Sequence, residues 1–134
     1  MSIHLERKDL INTQQMEVAV RGPDGATHLV LCTGIVCLDS LVRETYTFFV
    51  GPKLSRRQFV GAVASGALSR MQAFENNAKG QPGRELDANL ISIDANYDDA
   101  AGQVKVSAEV SSSAAMTKLA ISYNVSILAE LPMF

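Results

Sequence analysis

The sequence lacks several features that define whole classes of protein. It has no Trp, 2 Cys and 4 Pro, and charged residues make up 19% of its 134 residues, with a net charge of −2. Two Cys are too few for a disulfide scaffold, and the balanced charge excludes a histone-like polycation. No apolar run reaches the roughly 18–20 residues that a membrane-spanning helix needs. Because 47% of the residues are hydrophobic, the chain is not disordered, and we predict one compact soluble domain.

Residues of the kinds that perform catalysis or bind metals are few. Neither histidine, His4 or His28, belongs to a metal-binding or catalytic motif. Residues 94–98 resemble the start of a calcium loop, but the positions that require Gly and Glu hold other residues. Cys32 and Cys37 would lie on opposite faces of one strand, as buried free thiols of a reducing compartment. We predict no enzyme activity, no cofactor and no metal, with a small enzyme acting through Cys32 or His28 as the least supported alternative.

The N-terminal half shows strand patterns. Residues 1–15 are polar and predict an N-terminal arm, while residues 16–134 form the single domain. Residues 16–22 alternate between apolar and polar side chains, and Gly22-Pro23-Asp24-Gly25 is typical of a turn. We therefore predict a hairpin over residues 16–36, and a later strand that ends at Gly51-Pro52. Residues 37–44 are compatible with helix or strand.

Residues 55–79 predict a long helix. Ser55 and Gln58 have the spacing of a capping box, and Gly80 and Pro82 follow where a helix ends. Apolar residues at steps of three and four predict one helical stripe, consisting of Phe59, Val60, Val63, Ala67, Leu68, Met71 and Phe74.

A second face of this predicted helix consists of small residues. Each interior Gly costs about 1 kcal/mol of helix propensity, so a close approach by another backbone is expected. That backbone belongs to the protein's own sheet or to another subunit. The second alternative makes Gly61, Ser65, Gly66 and Ser69 candidate interface residues.

Three alternating segments near the C-terminus predict a β-meander. Each has an apolar face and a small polar face, and the segments are Ile91–Tyr97, Val104–Val110 and Leu119–Ile127. The predicted fold is α+β: a two-layer domain in which one long helix packs on a mostly antiparallel sheet with this C-terminal three-stranded meander. The uncharged residues 58–69 and the outer face of the meander are where we expect partners to bind.

The order of elements from Ser55 to Ile127, ending in Leu119-Ala-Ile-Ser-Tyr-Asn-Val-Ser-Ile127, resembles small structural proteins of tailed bacteriophages. It is loosely similar to the baseplate-wedge family of contractile tails. The resemblance covers about half the chain, and it implies a non-enzymatic virion subunit held in a ring or lattice by its neighbours.

We therefore expect a structural assembly subunit, of a phage tail, baseplate or head–tail junction, that binds copies of itself or other protein subunits. Nucleic acid and membranes are not expected partners, and the location is the cytoplasm during synthesis and then the virion. The apolar terminal residues Leu131, Met133 and Phe134 are further interface candidates.

Two other hypotheses follow from single features. A small ligand-binding or regulatory module would have a pocket between helix and sheet, with Tyr97 and Tyr123 as polar groups. The basic cluster Lys53, Arg56 and Arg57 is either solvated or neutralised by a partner's carboxylate or phosphate.

Overall fold

A computed structural model describes residues 2–20, 27–39, 43–73, 88–112 and 116–130. These residues form eight β-strands and a single 3₁₀ turn, Arg7–Asp9. None of them forms a helix with the length and apolar character that crossing a membrane requires. The strands are β1 (Ser2–His4), β2 (Leu10–Ala19), β3 (Thr27–Asp39), β4 (Arg43–Val50), β5 (Phe59–Ala73), β6 (Ala88–Asp98), β7 (Gln103–Ser112) and β8 (Met116–Glu130).

The strands form two four-stranded sheets that pack face to face. The first sheet has the order β1-β4-β7-β6, and the second has the order β2-β3-β8-β5. Only the β1–β4 pair is parallel among the pairs between described strands. The core lies between the sheets and contains alternate residues of the central strands, including Val30, Phe48, Val106, Ile121 and Ile127, each at most 1% exposed. The fold is therefore a β-sandwich.

The predicted α+β class is wrong because the long helix over residues 55–79 does not form; residues 59–73 are strand β5. Bulges between Phe59 and Gly61 and between Leu68 and Arg70 shift which residues face the core. The inward residues Ala62, Ala64, Gly66 and Leu68 are mostly small, and the large Val60 and Val63 are exposed. The stripe with helical spacing therefore combined residues from both faces of a bulged strand. Residues 74–82 lie outside the described residues.

The local signal at the start of this segment is nevertheless real. The Gln58 side chain reaches back and accepts a hydrogen bond from the Ser55 backbone N–H at 2.8 Å, and the Gln58 N–H donates to the Ser55 carbonyl at 3.0 Å. This is the geometry of half a capping box. It closes a turn over residues 56–58, after which the chain continues as a strand.

The prediction of a C-terminal meander is also wrong, although all three of its strands exist. β6 and β7 form an antiparallel hairpin in the first sheet, but β8 crosses to the second sheet and lies between β3 and β5. The predicted hairpin is confirmed by the antiparallel β2–β3 pair, and the strand predicted to end at Gly51 is β4. Residues 2–15, predicted to be an arm, include β1, the 3₁₀ turn and the first part of β2.

Candidate functional site

The outer side of the second sheet carries a large set of apolar side chains. Residues that pair across strands share a face of the sheet, so the register identifies the residues that point away from the core. In one row Val18, Leu29 and Leu128 are aligned, and in the next, Met16, Leu31, Ser126 and Val63. A polar row of Gln14, Thr33, Asn124 and Ser65 follows, and beyond it Ile11 pairs with Ile35. We call these large apolar residues the apolar face: Ile11, Met16, Val18, Leu29, Leu31, Ile35, Val63 and Leu128.

The outer side of the first sheet is polar. Its rows contain Arg43 with Ser111, Thr45 with Glu109, and Thr47 with Ser107. Strand β6 continues these rows with Asn89, Ser92, Asp94 and Asn96. Two large apolar residues are exceptions: Phe49 lies against the His4 ring at a centroid distance of 4.9 Å, and Ile91, at the bulge in β6, is 46% exposed. This side has the composition expected of a sheet surface in water, and the two outer surfaces of the sandwich therefore differ in kind.

Strand β2 shows the difference most clearly. Its residues Met16 and Val18 are 61% and 43% exposed, and they pair with outward residues of β3. The polar residues Gln15 and Glu17 point to the inner side, where they are also exposed. In a two-layer sandwich the apolar side of a strand normally faces the core. Here it faces away, which places an apolar surface where an additional layer would cover it.

Strands β2 and β5 form the two edges of this sheet. Edge strands usually carry charged residues or Pro that prevent pairing with other chains. Residues 58–69 contain no charged residue and no Pro, and β2 contains a single charged residue, Glu17. On β5, Val63 is 72% exposed. Within the described part of the chain, no strand forms hydrogen-bonded pairs with the outer edge of either one, although β6 of the first sheet lies close to β5.

The structure distributes the predicted interface residues among three environments. Gly61 and Ser65 are on the outer face of β5, and Ser69 is exposed at the second bulge. Gly66 faces inward, where an added Cβ would lie 3.1 Å from Ile93 Cδ1. Gly66 therefore serves the packing of the protein's own two sheets. Leu131, Met133 and Phe134 lie outside the described residues.

The basic cluster lies at the turn before β5, not at the start of a helix. Lys53 donates a hydrogen bond to the Ala101 carbonyl at 3.0 Å. Arg56 forms an ion pair with Asp99 at 3.7 Å and lies over the Tyr97 ring, 5.6 Å from its centroid. Arg57 is exposed. Two of the three cations thus bind acceptors within the same chain.

A cleft of about 630 Å³ opens between the sheets on the side where β1 and β2 lie. It is lined by residues of β1, β2, β3, β4 and β8, including Gln15, Cys32 and Tyr123. Burial raises the pKa of the Cys32 thiol to about 11 and that of Tyr123 to about 12. Neither group is therefore activated as a nucleophile or base near neutral pH. The predicted pocket between helix and sheet is wrong because the helix does not form; ligand binding in this cleft between sheets stays a prediction.

The other polar side chains singled out in the sequence lie apart from one another among the described residues. Tyr97 donates its hydroxyl hydrogen bond to the Leu54 carbonyl at 2.6 Å. His28 is half-buried on the inner side of β3, and its Nε2 is buried without a hydrogen-bond partner in the described part of the protein. Asp94 and Asn96 are on the polar outer surface. Among the described residues there is no group of three or more His, Cys, Asp or Glu side chains that could hold a metal ion.

The sequence alone offered one signal for the apolar face. The alternation of Met16, Val18 and Val20 shows that one side of β2 is apolar, but alternation does not show whether that side meets the core.

No protein-family model matches the chain, and neither a curated protein nor a solved structure matches it. The apolar face and the two uncharged edges are therefore the features from which a function must be argued.

Proposed function

We propose that this protein is a non-enzymatic structural subunit of a larger protein assembly, and that the apolar face is where a neighbouring subunit covers it. The observation that carries this proposal is the contrast between the two outer surfaces of the sandwich. One is polar, as water requires, and the other presents eight large apolar side chains from four strands.

The cost of leaving such a face in water supports a protein partner. Fully burying one large aliphatic side chain stabilises a protein or complex by about 1.5–3 kcal/mol. The apolar face contains several partly exposed side chains of this kind, among them Ile11, Met16 and Val63. Monomeric proteins rarely expose a contiguous apolar patch larger than a few hundred Å². The low charge of the whole chain, at 19%, agrees with the depletion of charge at interface cores.

The helix that formed part of the resemblance to tailed-phage structural proteins does not form, so only the sequence pattern of the strand over residues 119–127 is left to support a particular setting for this assembly. Under this proposal the subunit is made in a reducing cytoplasm and then belongs to a virion, in the tail, the baseplate or the head–tail junction. Nucleic acid is not part of the proposal, since the net charge is −2 and binding to phosphates needs an excess of cationic side chains.

The experiment that tests the proposal measures the mass of the purified protein in solution by sedimentation velocity from 1 to 300 µM, on the order of concentrations at which moderate affinities are populated. We expect species heavier than the 14.4 kDa chain. Replacing Leu31, at the centre of the apolar face, by Lys should shift the distribution to lower mass, because a charge would have to be desolvated in the interface. A wild-type monomer throughout the range would contradict the proposal.

The matched control is Ser107→Lys. Ser107 is on the outer side of β7, which like β3 is a central strand of its sheet. Both variants place a lysine on a sheet surface and change the net charge equally. We expect Ser107→Lys to assemble as the wild type does, and circular dichroism should show the same strand content in both variants. Equal loss of assembly in the two variants would contradict a role for the apolar face.

A further inference from the structure

The second sheet has two free edges that are complementary to each other. Its four strands are antiparallel to their neighbours throughout, so β2 at one edge and β5 at the other run in opposite directions. When a second copy is placed beside the first so that the sheet continues, β2 of one copy is antiparallel to β5 of the next. Antiparallel pairing is the arrangement already used inside the sheet.

The backbone hydrogen bonds that each edge leaves unused can be identified. The Val20 N–H donates to the Thr27 carbonyl at 2.9 Å, and in an antiparallel pair alternate residues donate to the same neighbour. The N–H groups of Gln15, Glu17 and Ala19 therefore point away from β3, toward the free edge. These three residues have their side chains on the inner side of the sheet.

The same argument applies to β5. The Glu130 N–H donates to the Gln58 carbonyl at 2.7 Å, so the even-numbered residues of β8 pair through hydrogen bonds with β5. Their partners on β5 include Gly61, Val63 and Ser65. The residues between these partners, Ala62, Ala64, Gly66 and Leu68, therefore present their N–H groups to the free edge, and their side chains also point to the inner side.

The two edges match because, on each of them, the residues whose N–H groups are free have their side chains on the inner side of the sheet. When β2 pairs with β5 of a neighbour through these free groups, inner side chains lie beside inner side chains. Met16 and Val18 then lie alongside the neighbour's outward residues, which include Val63. The apolar face becomes continuous from one copy to the next.

The charge pattern favours this pairing over a two-fold β2–β2 contact. The β2 strand is irregular between Ile11 and Gln14. After this point it presents three free N–H groups to the edge, and the middle one belongs to Glu17. A two-fold contact using all three would place the two Glu17 carboxylates opposite each other, which destabilises a strand pair. In the β2–β5 contact Glu17 lies beside an uncharged segment instead.

We infer that a second copy of this chain binds at these edges, with β2 of one copy adding as a strand to β5 of the next. This inference rests on the proposed assembly function and adds a second contact to it: edge pairing joins copies side by side, and the apolar face that runs across them is left for another subunit to cover. Because the contact joins two different surfaces, it generates a ring if the rotation closes and a filament if it does not.

The test uses two variants that each block one edge. Proline removes a backbone N–H and is tolerated at an edge position whose N–H faces outward. Glu17→Pro blocks the β2 edge, and Ala64→Pro blocks the β5 edge. The controls are Glu17→Gln and Ala64→Ser, which keep the backbone N–H. Each proline variant alone should sediment at lower mass than its control at the same concentration, because only the contact through the apolar face remains.

Mixing the two proline variants gives the decisive measurement. Glu17→Pro keeps a free β5 edge and Ala64→Pro keeps a free β2 edge. With Leu31→Lys added to both to weaken the face contact, an equimolar mixture should form a 1:1 heterodimer of twice the 14.4 kDa chain mass and nothing larger. Absence of the heterodimer, with both variants folded by circular dichroism, would overturn the inference. If Ala64→Pro loses the edge contact while Glu17→Pro retains it, the inference is also overturned, in favour of a two-fold β5–β5 contact.

If a proline variant fails to fold, Gln15→Lys and Ser65→Lys replace the pair. Both residues are exposed, lie on the edge strands and are outside the apolar face, and an edge lysine opposes strand addition without breaking the internal pairing. Failure of the inference and of the proposed function remain distinguishable. Edge variants that assemble normally, while Leu31→Lys does not, overturn only the edge contact. A wild-type protein that stays monomeric overturns both.

Discussion

Gly34 and Tyr123 lie opposite each other on β3 and β8, and the tyrosine ring occupies the space beside the glycine. A Cβ added at Gly34 would be 2.5 Å from the Tyr123 hydroxyl oxygen and 2.8 Å from its Cζ. Tyr123 is buried and its ring also contacts Phe48, at a centroid distance of 5.0 Å. The absence of a side chain at Gly34 is therefore what allows Tyr123 to fill the core between the sheets.

We expect Gly34→Ala to lower the free energy of unfolding by about 1–3 kcal/mol, the usual cost of overpacking a core. Gly61→Ala is the matched control, because nothing lies within 4 Å of a Cβ at that position; its effect should stay within about 0.5 kcal/mol. Tyr123→Phe should recover part of the Gly34→Ala loss, since it removes the nearest atom. Urea titration at low protein concentration measures the free energy of unfolding of the wild type, Gly34→Ala, Gly61→Ala and the Gly34→Ala/Tyr123→Phe double variant. Equal losses in Gly34→Ala and Gly61→Ala would contradict this packing.

The turn before β5 gives a second stability prediction. Gln58→Ala removes the side-chain acceptor of the Ser55 N–H and should cost about 0.5–1.5 kcal/mol, the net value of one hydrogen bond. Arg57→Ala, at an exposed position of the same turn, should change the stability by less than about 0.5 kcal/mol. The same denaturant titrations measure both. A neutral Gln58→Ala would show that this hydrogen bond does not hold the turn.

The two cysteines should differ in reactivity. Cys32 is buried on the inner side of β3, whereas Cys37 is exposed on the outer side. The prediction that they point to opposite faces is confirmed, and the prediction that both are buried is wrong for Cys37. A thiol reagent should label Cys37 quickly in the native monomer and Cys32 only upon unfolding. Cys37→Ser should abolish the fast phase, and rapid labelling that persists in this variant would contradict the burial of Cys32.

Labelling of Cys37 also reports on assembly. Cys37 is at one end of the outer side of β3, close to Ile35 of the apolar face. When a neighbour covers that face, the rate of Cys37 modification should fall as the protein concentration rises. A rate that does not depend on concentration, in samples shown to be assembled, would mean that this end of the sheet stays open.

Alkaline pH should destabilise the protein through Cys32. Burial raises the pKa of this thiol from 9.0 to about 11. Between these values the unfolded chain loses the proton while the folded protein keeps it, so stability falls as pH rises, by at most about 1.4 kcal/mol per pH unit. Below pH 9 the group has no effect. Tyr123, whose pKa burial raises to about 12, adds a similar loss at higher pH.

The measurement compares denaturant midpoints at pH 8 and pH 10. Cys32→Ala should lose less stability between the two values than the wild type, and Cys37→Ala should lose as much as the wild type because it retains the buried thiol. An equal loss in the wild type and in Cys32→Ala would show that other groups account for the alkaline transition.

Much of the strand content was predictable from the sequence, and the helix error has a definable cause. The alternation in residues 104–110 and 119–127 identified the buried residues of β7 and β8 because these strands are regular over those residues. In β5, bulges place Val60 and Val63 outside while Ala62 and Ala64 face inward. The large side chains therefore do not mark the core face, and their spacing imitated a helical stripe. The hydrogen bond between Ser55 and Gln58 is local, so it was predictable, but it closes a turn as readily as it begins a helix.

The sheet order and the apolar face were not predictable, because both depend on long-range pairing. Nothing local in residues 119–127 distinguishes a third strand of a meander from a strand inserted between β3 and β5. Likewise, the alternation around Met16 and Val18 is the same whether that side meets the core or a neighbour. The position of β2 decides which side of it meets the core. This strand lies at the edge of its sheet, and β1, on the same side of the sandwich in the other sheet, is three residues long.

The place of β8 has a consequence for how the protein is made. It is the last of the eight strands in chain order, yet it joins β3 to β5 in the middle of the second sheet. A ribosome therefore produces both of its neighbours before the strand that connects them, and neither can complete its pairing until the 15 residues of β8 emerge. During that interval two further strand edges are open, one on each side of the gap. This sheet can complete its folding only after β8 has been synthesised, and crowded nascent chains are exposed to mispairing with each other until then.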